Sequence, residues 1–229
     1  RDPVWAPDGS AVAFGSKRGA SEFGIHRQRV DGKEQAELIW ASPIPIWPDP
    51  QSWSPDGRTL VFSTKAKDTA EDIWTLQLEG DRAAEPWLQS AANEWAGRLS
   101  PDGRWMAYNS DESGQPEVYV QPFPGRGGKW LVSQGGGGFN AIWSRDGRRL
   151  YFRRGDQVLE TDVDTASGFT LGTPRVLFSG RYLATGRDFD VSPDGTRFVM
   201  MRNDDSRSTA TLHVVLNWWH ALEARTRAR

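Results

Sequence analysis

Trp53-Ser54-Pro55-Asp56-Gly57 is followed by a short apolar run, Leu60-Val61-Phe62, and then by Ile73-Trp74-Thr75-Leu76-Gln77-Leu78, where apolar and polar residues alternate. That succession decides the fold, because it recurs. Its other copies begin at Trp5-Ala6-Pro7-Asp8-Gly9, Leu99-Ser100-Pro101-Asp102-Gly103, Trp143-Ser144-Arg145-Asp146-Gly147 and Val191-Ser192-Pro193-Asp194-Gly195. Their Asp residues stand 48, 46, 44 and 48 apart. A four-stranded propeller blade takes roughly 40–50 residues, so the period fits one blade per copy.

Each copy repeats one local grammar. An apolar residue closes a first strand. Pro presets φ for a tight turn, the Asp side chain bonds nearby backbone N–H groups, and Gly accepts positive φ. A short apolar strand follows: Val12–Phe14, Leu60–Phe62, Met106–Tyr108, Leu150–Phe152 and Phe198–Met200. The period-2 pattern of a half-buried third strand is read at Phe23–Arg29, Ile73–Leu78, Glu117–Gln121, Val158–Val163 and Leu212–Leu216. Outer fourth strands are expected at Ala36–Trp40, Glu85–Leu88, Lys129–Val132 and Arg175–Phe178. The fifth copy departs from this: Asn217 is a fitting N-cap and Trp218, Trp219 and Leu222 share a helical face.

The expectation is an all-β fold, a single β-propeller domain over residues 1–229. Its four-stranded blades fall near 1–47, 48–93, 94–137, 138–184 and 185–216, with a short C-terminal helix at 217–227. The chain opens on Arg1, already inside a repeat, so the expectation is a parent array of six or more blades, the alternative being five blades that close a ring by themselves. Composition agrees. Twelve Trp spread along 229 residues suggest one aromatic anchor per repeated unit, and 24 Gly with 14 Pro punctuate many short strands.

Charge and cysteine content exclude several function classes. With 28 basic and 30 acidic residues, the net charge of −2 offers no field for nucleic acid or an anionic membrane. The lack of Cys removes disulfides, thiolate catalysis and zinc–thiolate sites. No apolar run approaches the roughly 18–20 residues of a membrane span, and no signal peptide is visible.

The segment Ser100 to Pro124, with Ser100-Pro101-Asp102-Gly103-Arg104-Trp105-Met106-Ala107-Tyr108 leading to Glu117-Val118-Tyr119-Val120, resembles the TolB-like, WD40-like (PD40) propeller repeats of bacteria. The likeness extends over all five copies and is closest from Leu99 to Trp219, through Gly127-Gly128-Lys129-Trp130-Leu131-Val132-Ser133. It is similar there to the C-terminal propeller of bacterial serine/threonine protein kinases and of some winged-helix regulators. The resemblance implies a companion domain upstream and carries no catalytic residue onto this chain. The kinase Gly-rich loop, His-Arg-Asp and Asp-Phe-Gly patterns do not occur in it. Arg145 stands in place of Pro, and Leu99 and Val191 in place of Trp, departures that an inner strand tolerates.

The search for chemistry returns structure. Asp8, Asp56, Asp102, Asp146 and Asp194, with Gly9, Gly57, Gly103, Gly147 and Gly195, are read as turn residues, because positions repeated around a ring cannot converge on one ion. His26, His213 and His220 match no metal-ligand spacing, and no Gly-x-Ser-x-Gly elbow exists. Gly125–Gly128 and Gly135–Gly138 lack the Lys-Ser/Thr and helix of a phosphate loop, so the second run is read as an inter-blade linker. Asp162 to Gly168 lacks the distal Glu of a calcium loop and is read as a hairpin. No metal, cofactor or catalytic residue is expected.

What remains is the central channel. Gln51, Arg98, Asn140, Asp188 and Asp190 are polar at inner-strand positions where a sealed core would hold apolar groups, and are read as lining a binding funnel or a wet axial channel. The function expected is non-catalytic binding of a protein or small-molecule ligand, as the sensor or scaffold region of a larger signalling protein such as a serine/threonine kinase. The alternatives are the propeller of a prolyl-oligopeptidase-like peptidase and a stand-alone TolB-like periplasmic interaction protein. Attachment to a membrane-spanning kinase would place the domain outside the cytoplasmic membrane; otherwise it is cytoplasmic.

Overall fold

The computed structural model describes residues 1–18, 22–65, 70–125, 127–166, 168–183 and 186–201. They form four antiparallel blades and the first two strands of a fifth. The first blade is β1 (Val4–Trp5), β2 (Ala11–Arg18), β3 (Glu22–Arg29) and β4 (Glu37–Ala41). The second is β5 (Asp49–Trp53), β6 (Thr59–Lys65), β7 (Glu71–Gln77) and β8 (Ala84–Leu88). The third is β9 (Glu94–Leu99), β10 (Trp105–Ser110), β11 (Glu117–Pro122) and β12 (Trp130–Leu131). In each, the strands pair in chain order.

The fourth blade contains β13 (Phe139–Trp143), β14 (Arg149–Arg154) and β15 (Gln157–Asp164). Its outer position is shared by β16 (Thr170–Leu171) and β17 (Arg175–Ser179), which pair with different parts of β15. The short β16 was not expected. Val163 and Asp164 at the end of β15 pair with Leu171 and Thr170 of β16, and the Asp164 carboxylate accepts the Ala166 N–H. The fifth unit shows β18 (Phe189–Val191) and β19 (Phe198–Met200). The third strand expected at Leu212–Leu216, the helix at 217–227, His213 and His220 lie outside the described residues.

The motif turns explain their own residues. In all five copies the Gly N–H donates to the carbonyl three residues back, at 2.8–3.0 Å, with Gly at φ 70–73°. A Cβ at that φ is strained even where, as at Gly57, it would touch nothing. The Asp Oδ1 accepts the N–H two residues on: Ser10, Arg58, Arg104, Arg148 and Thr196, at 2.9–3.1 Å. In copies two to five the motif Ser hydroxyl donates to that carboxylate while accepting the N–H that opens the next strand, as from Thr59 and Trp105. In the first copy Ala6 replaces Ser, and the Ser10 hydroxyl bonds Asp8 instead.

The core lies between the blades. Because strand side chains alternate faces, Leu60 and Phe62 pack against Val4, Ala13 and Ile25 of the first blade, whereas Val61 turns toward Leu99, Met106 and Tyr108 of the third. A larger cluster joins the third and fourth blades around Val118, Val120, Trp143 and Phe152, and a smaller one joins the fourth to Phe189. The motif tryptophans fasten blade to blade: Trp53 Nε1 donates to the Val4 carbonyl at 3.3 Å and Trp143 Nε1 to the Arg98 carbonyl at 3.0 Å. Across the linker, Gly135, Gly136 and Gly137 all take positive φ, so the chain turns sharply between blades three and four. His26 is buried and stacked on Phe14, and burial pushes its pKa down.

Candidate functional site in the axial channel

The five inner strands β1, β5, β9, β13 and β18 converge on the axis, and two cavities open along it. Counting back from the residue that closes each inner strand explains what lines them. The fourth residue back is Arg1, Asp49, Trp95, Phe139 and Arg187, and all five line one cavity of about 380 Å³. The residue one back is Val4, Ser52, Arg98, Ile142 and Asp190, and all five line the other, of about 690 Å³. Gln51, Arg98 and Arg187 border both. Between the two rings the inner strands bulge: pairing slips between Pro50 and Ser52 and between Phe139 and Ile142, and Ala96 and Asn140 both take φ of 56°. A bulge re-aims the side chains that flank it, here toward the axis.

The larger mouth lies on the side of the motif turns. Pro7, Pro55, Pro101 and Arg145, two residues after each closing residue, stand around it, so the one departure from Pro puts a cation on the rim. Trp5, Val199 and Met201 also border it and are exposed, Trp5 by 62%.

The structure divides the five expected channel residues. Gln51 is buried and clamps blades two and three, its Oε1 accepting the Gly97 N–H at 2.6 Å. Asn140 clamps blades four and five: its Nδ2 donates to Asp188 Oδ1 at 2.9 Å and to the Gly186 carbonyl, while its N–H donates to Asn109 Oδ1 at 3.0 Å. Asp188 is fully buried and pairs with Arg153, whose guanidinium also donates to the Leu183 and Gly155 carbonyls. The Arg153 guanidinium stands 5.4 Å from the Phe139 ring centroid. Arg98 and Asp190 face the open cavity instead, and Asp190 also accepts the Val191 N–H.

Arg187 and Arg153 escaped the sequence reading. Arg187 donates to the carbonyls of Pro3, Pro50 and Gln51 at 3.0, 2.6 and 2.7 Å, tying the fifth unit to the first two blades. Burial, and then the like charge of Arg98, bring its pKa down to about 9. Opposite, Asp49 pairs with Arg1 at 2.9 Å, but burial and the neighbouring Asp2 charge raise its carboxyl to about 7. The fourth-residue-back register would have found Asp49, Trp95, Phe139 and Arg187. Among the described residues, no three His, Cys, Asp or Glu are placed to hold a metal, and no helix is long and apolar enough to cross a membrane.

Radial four-stranded blades, inter-blade cores and a polar axial channel define the class, a β-propeller with a channel suited to binding. The match to a family model is equally direct. Residues 44–215 match the PD40 TolB β-propeller domain, and the chain belongs to that family. It is 29% identical over 117 residues to the Tol-Pal system protein TolB of Anaeromyxobacter dehalogenans, covering 51% of this chain and 26% of that protein. It is 35% identical over 99 residues to the tricorn protease homolog 1 of Streptomyces coelicolor, covering 42% of this chain and 8% of that one. The crystal structure of TolB from Acinetobacter baumannii superposes with a TM-score of 0.71 at 22% identity, over 90% of this chain and 49% of that one. The matches thus span half or less of these relatives.

Proposed function

We propose that this chain is a non-catalytic binding propeller whose axial channel is the recognition site, and that it serves as the sensor or scaffold region of a larger bacterial signalling protein, a serine/threonine kinase. The observation that carries the binding reading is the channel itself. Two registers of the repeat, invariant in position but varied in residue, line two linked cavities with Arg98, Arg187, Trp95 and Phe139. A rigid scaffold presenting variable side chains at equivalent points suits multi-point recognition. The kinase assignment rests on the likeness of Leu99–Trp219 to kinase-borne propellers.

The experiment is to produce the full-length protein from its own reading frame and follow ATP-dependent autophosphorylation, in wild type and in Trp95→Ala. Phosphorylation that changes severalfold with Trp95→Ala is the expected result. No phosphotransfer would overturn the kinase assignment. A second reading is favoured by the tricorn protease homolog, a peptidase by name. Peptide hydrolysis by the full-length protein, with cleavage preference altered by Trp95→Ala, would make the propeller a peptidase gate instead.

A further inference from the structure

Most charges in the channel are spoken for. Asp188 belongs to Arg153, and Arg1 spans Asp2 and Asp49. Arg98 and Arg187 differ. Among the described residues neither forms a salt bridge, and Arg187 spends its N–H groups on neutral carbonyls, while Asp2, Asp190 and Asp49 act on its charge only from beyond ion-pairing distance. Arg98 makes no side-chain hydrogen bond at all among the described residues, though its guanidinium is half-buried in the channel wall. The Asp190 carboxylate acts on it from beyond ion-pairing distance. Two like charges share a low-dielectric cavity, each pushed below its ordinary pKa by burial. Such groups are costly without an anion and gain most from one.

The direction of approach follows from the surroundings. The smaller mouth also reaches Arg98 and Arg187, but there Asp2, Asp49 and Glu71 stand against Arg1 alone, which makes it the less favourable approach for an anion. The turn-bearing mouth adds Arg145 to Arg98 and Arg187, with Asp190 as its one unpaired carboxylate among the described residues. Its walls are apolar: Trp53, Pro55, Pro101 and the exposed Val199 and Met201. A cationic floor beneath apolar walls selects a ligand with an oxyanion at one end and an apolar body at the other.

Building on the binding-propeller reading, we propose that the turn-bearing mouth of the channel binds a small amphipathic carboxylate, its oxyanion on Arg98 beside Arg187 and its apolar body against Trp53 and Val199. No bond is made or broken.

The test is calorimetric titration of the full chain with 3-phenylpropionate, with 3-phenylpropanamide as the neutral isostere and inorganic phosphate as the anion without an apolar body. Binding of the acid, at least tenfold weaker binding of the amide, and weaker binding of phosphate are expected. Arg98→Gln should weaken the acid at least tenfold. Asp190→Asn should tighten it severalfold, a gain that misfolding cannot mimic. Arg148→Gln, outside the channel, should change nothing. Equal binding of acid and amide, equal binding of phosphate, or no response to Arg98→Gln would each overturn the assignment. If the acid fails to bind while Trp95→Ala still alters phosphorylation, the carboxylate site is wrong and the binding-propeller reading stands.

Discussion

Replacing Asp188 with Ala strikes the joint between the fourth and fifth units. The Arg153 and Asp188 side chains are 1% and 0% exposed, so neither can turn to water when its partner is lost. Two carbonyls and the Phe139 ring remain around the guanidinium, but none carries negative charge. Removing one partner of a buried ion pair costs about 3–5 kcal/mol, and the lost Asn140 hydrogen bond lies within that range. For a chain of this size about 1 kcal/mol moves the melting temperature by roughly 2–4 °C. The expected fall is therefore about 6–20 °C, with a matching shift in the urea midpoint followed by circular dichroism. Arg153→Met with Asp188→Leu replaces the charges by apolar volume and should recover at least about 2 kcal/mol of the single-variant loss. A loss below about 1 kcal/mol in Asp188→Ala, or a double variant as unstable as the sum of the singles, would refute the reasoning.

Three further outcomes are expected. A Cβ on Gly24 would sit 2.4 Å from the Trp40 carbonyl oxygen, which pairing between β3 and β4 holds in place, so Gly24→Ala should cost about 1–3 kcal/mol in denaturant titration. Ser100→Ala leaves the Trp105 N–H without its acceptor and should cost about 1–2 kcal/mol by the same measurement. For Asp49 the ordinary value is 3.8 and the folded value about 7. Between them the folded chain holds a proton that the unfolded chain has released, so this group's contribution falls as pH rises from about 4 to 7. Melting curves of Asp49→Asn against wild type should converge at pH 4 and separate above pH 7, the variant being the more stable; a constant gap would sink this.

Much of the fold was legible because its determinants are local. Pro55, Asp56 and Gly57 specify a turn through φ and one side-chain bond, within five residues. The alternation in Ile73–Leu78 and the apolar run at Leu60–Phe62 announce a half-buried and a buried strand; the second lies within β6, and the first overlaps β7, which starts two residues earlier and stops at Gln77. β16 was missed because two residues carry no period. The channel was only half legible. Polar residues at inner-strand positions were the right signal, yet polarity cannot separate Gln51 and Asn140, which spend their groups clamping neighbouring blades, from Arg98, which spends none.

By itself, the sequence determined the repeat, the blade, its turns and the family, because each blade is written in contiguous residues whose conformations are set by their near neighbours. Only the tertiary structure decided which side chains meet on the axis. Asn140 and Asp188 are 48 residues apart, and Arg187 reaches Pro3 across 184. Those contacts depend on the angle between blades and on the bulges that turn one register inward. Both are settled by packing of the inter-blade cores, and no stretch of sequence contains them.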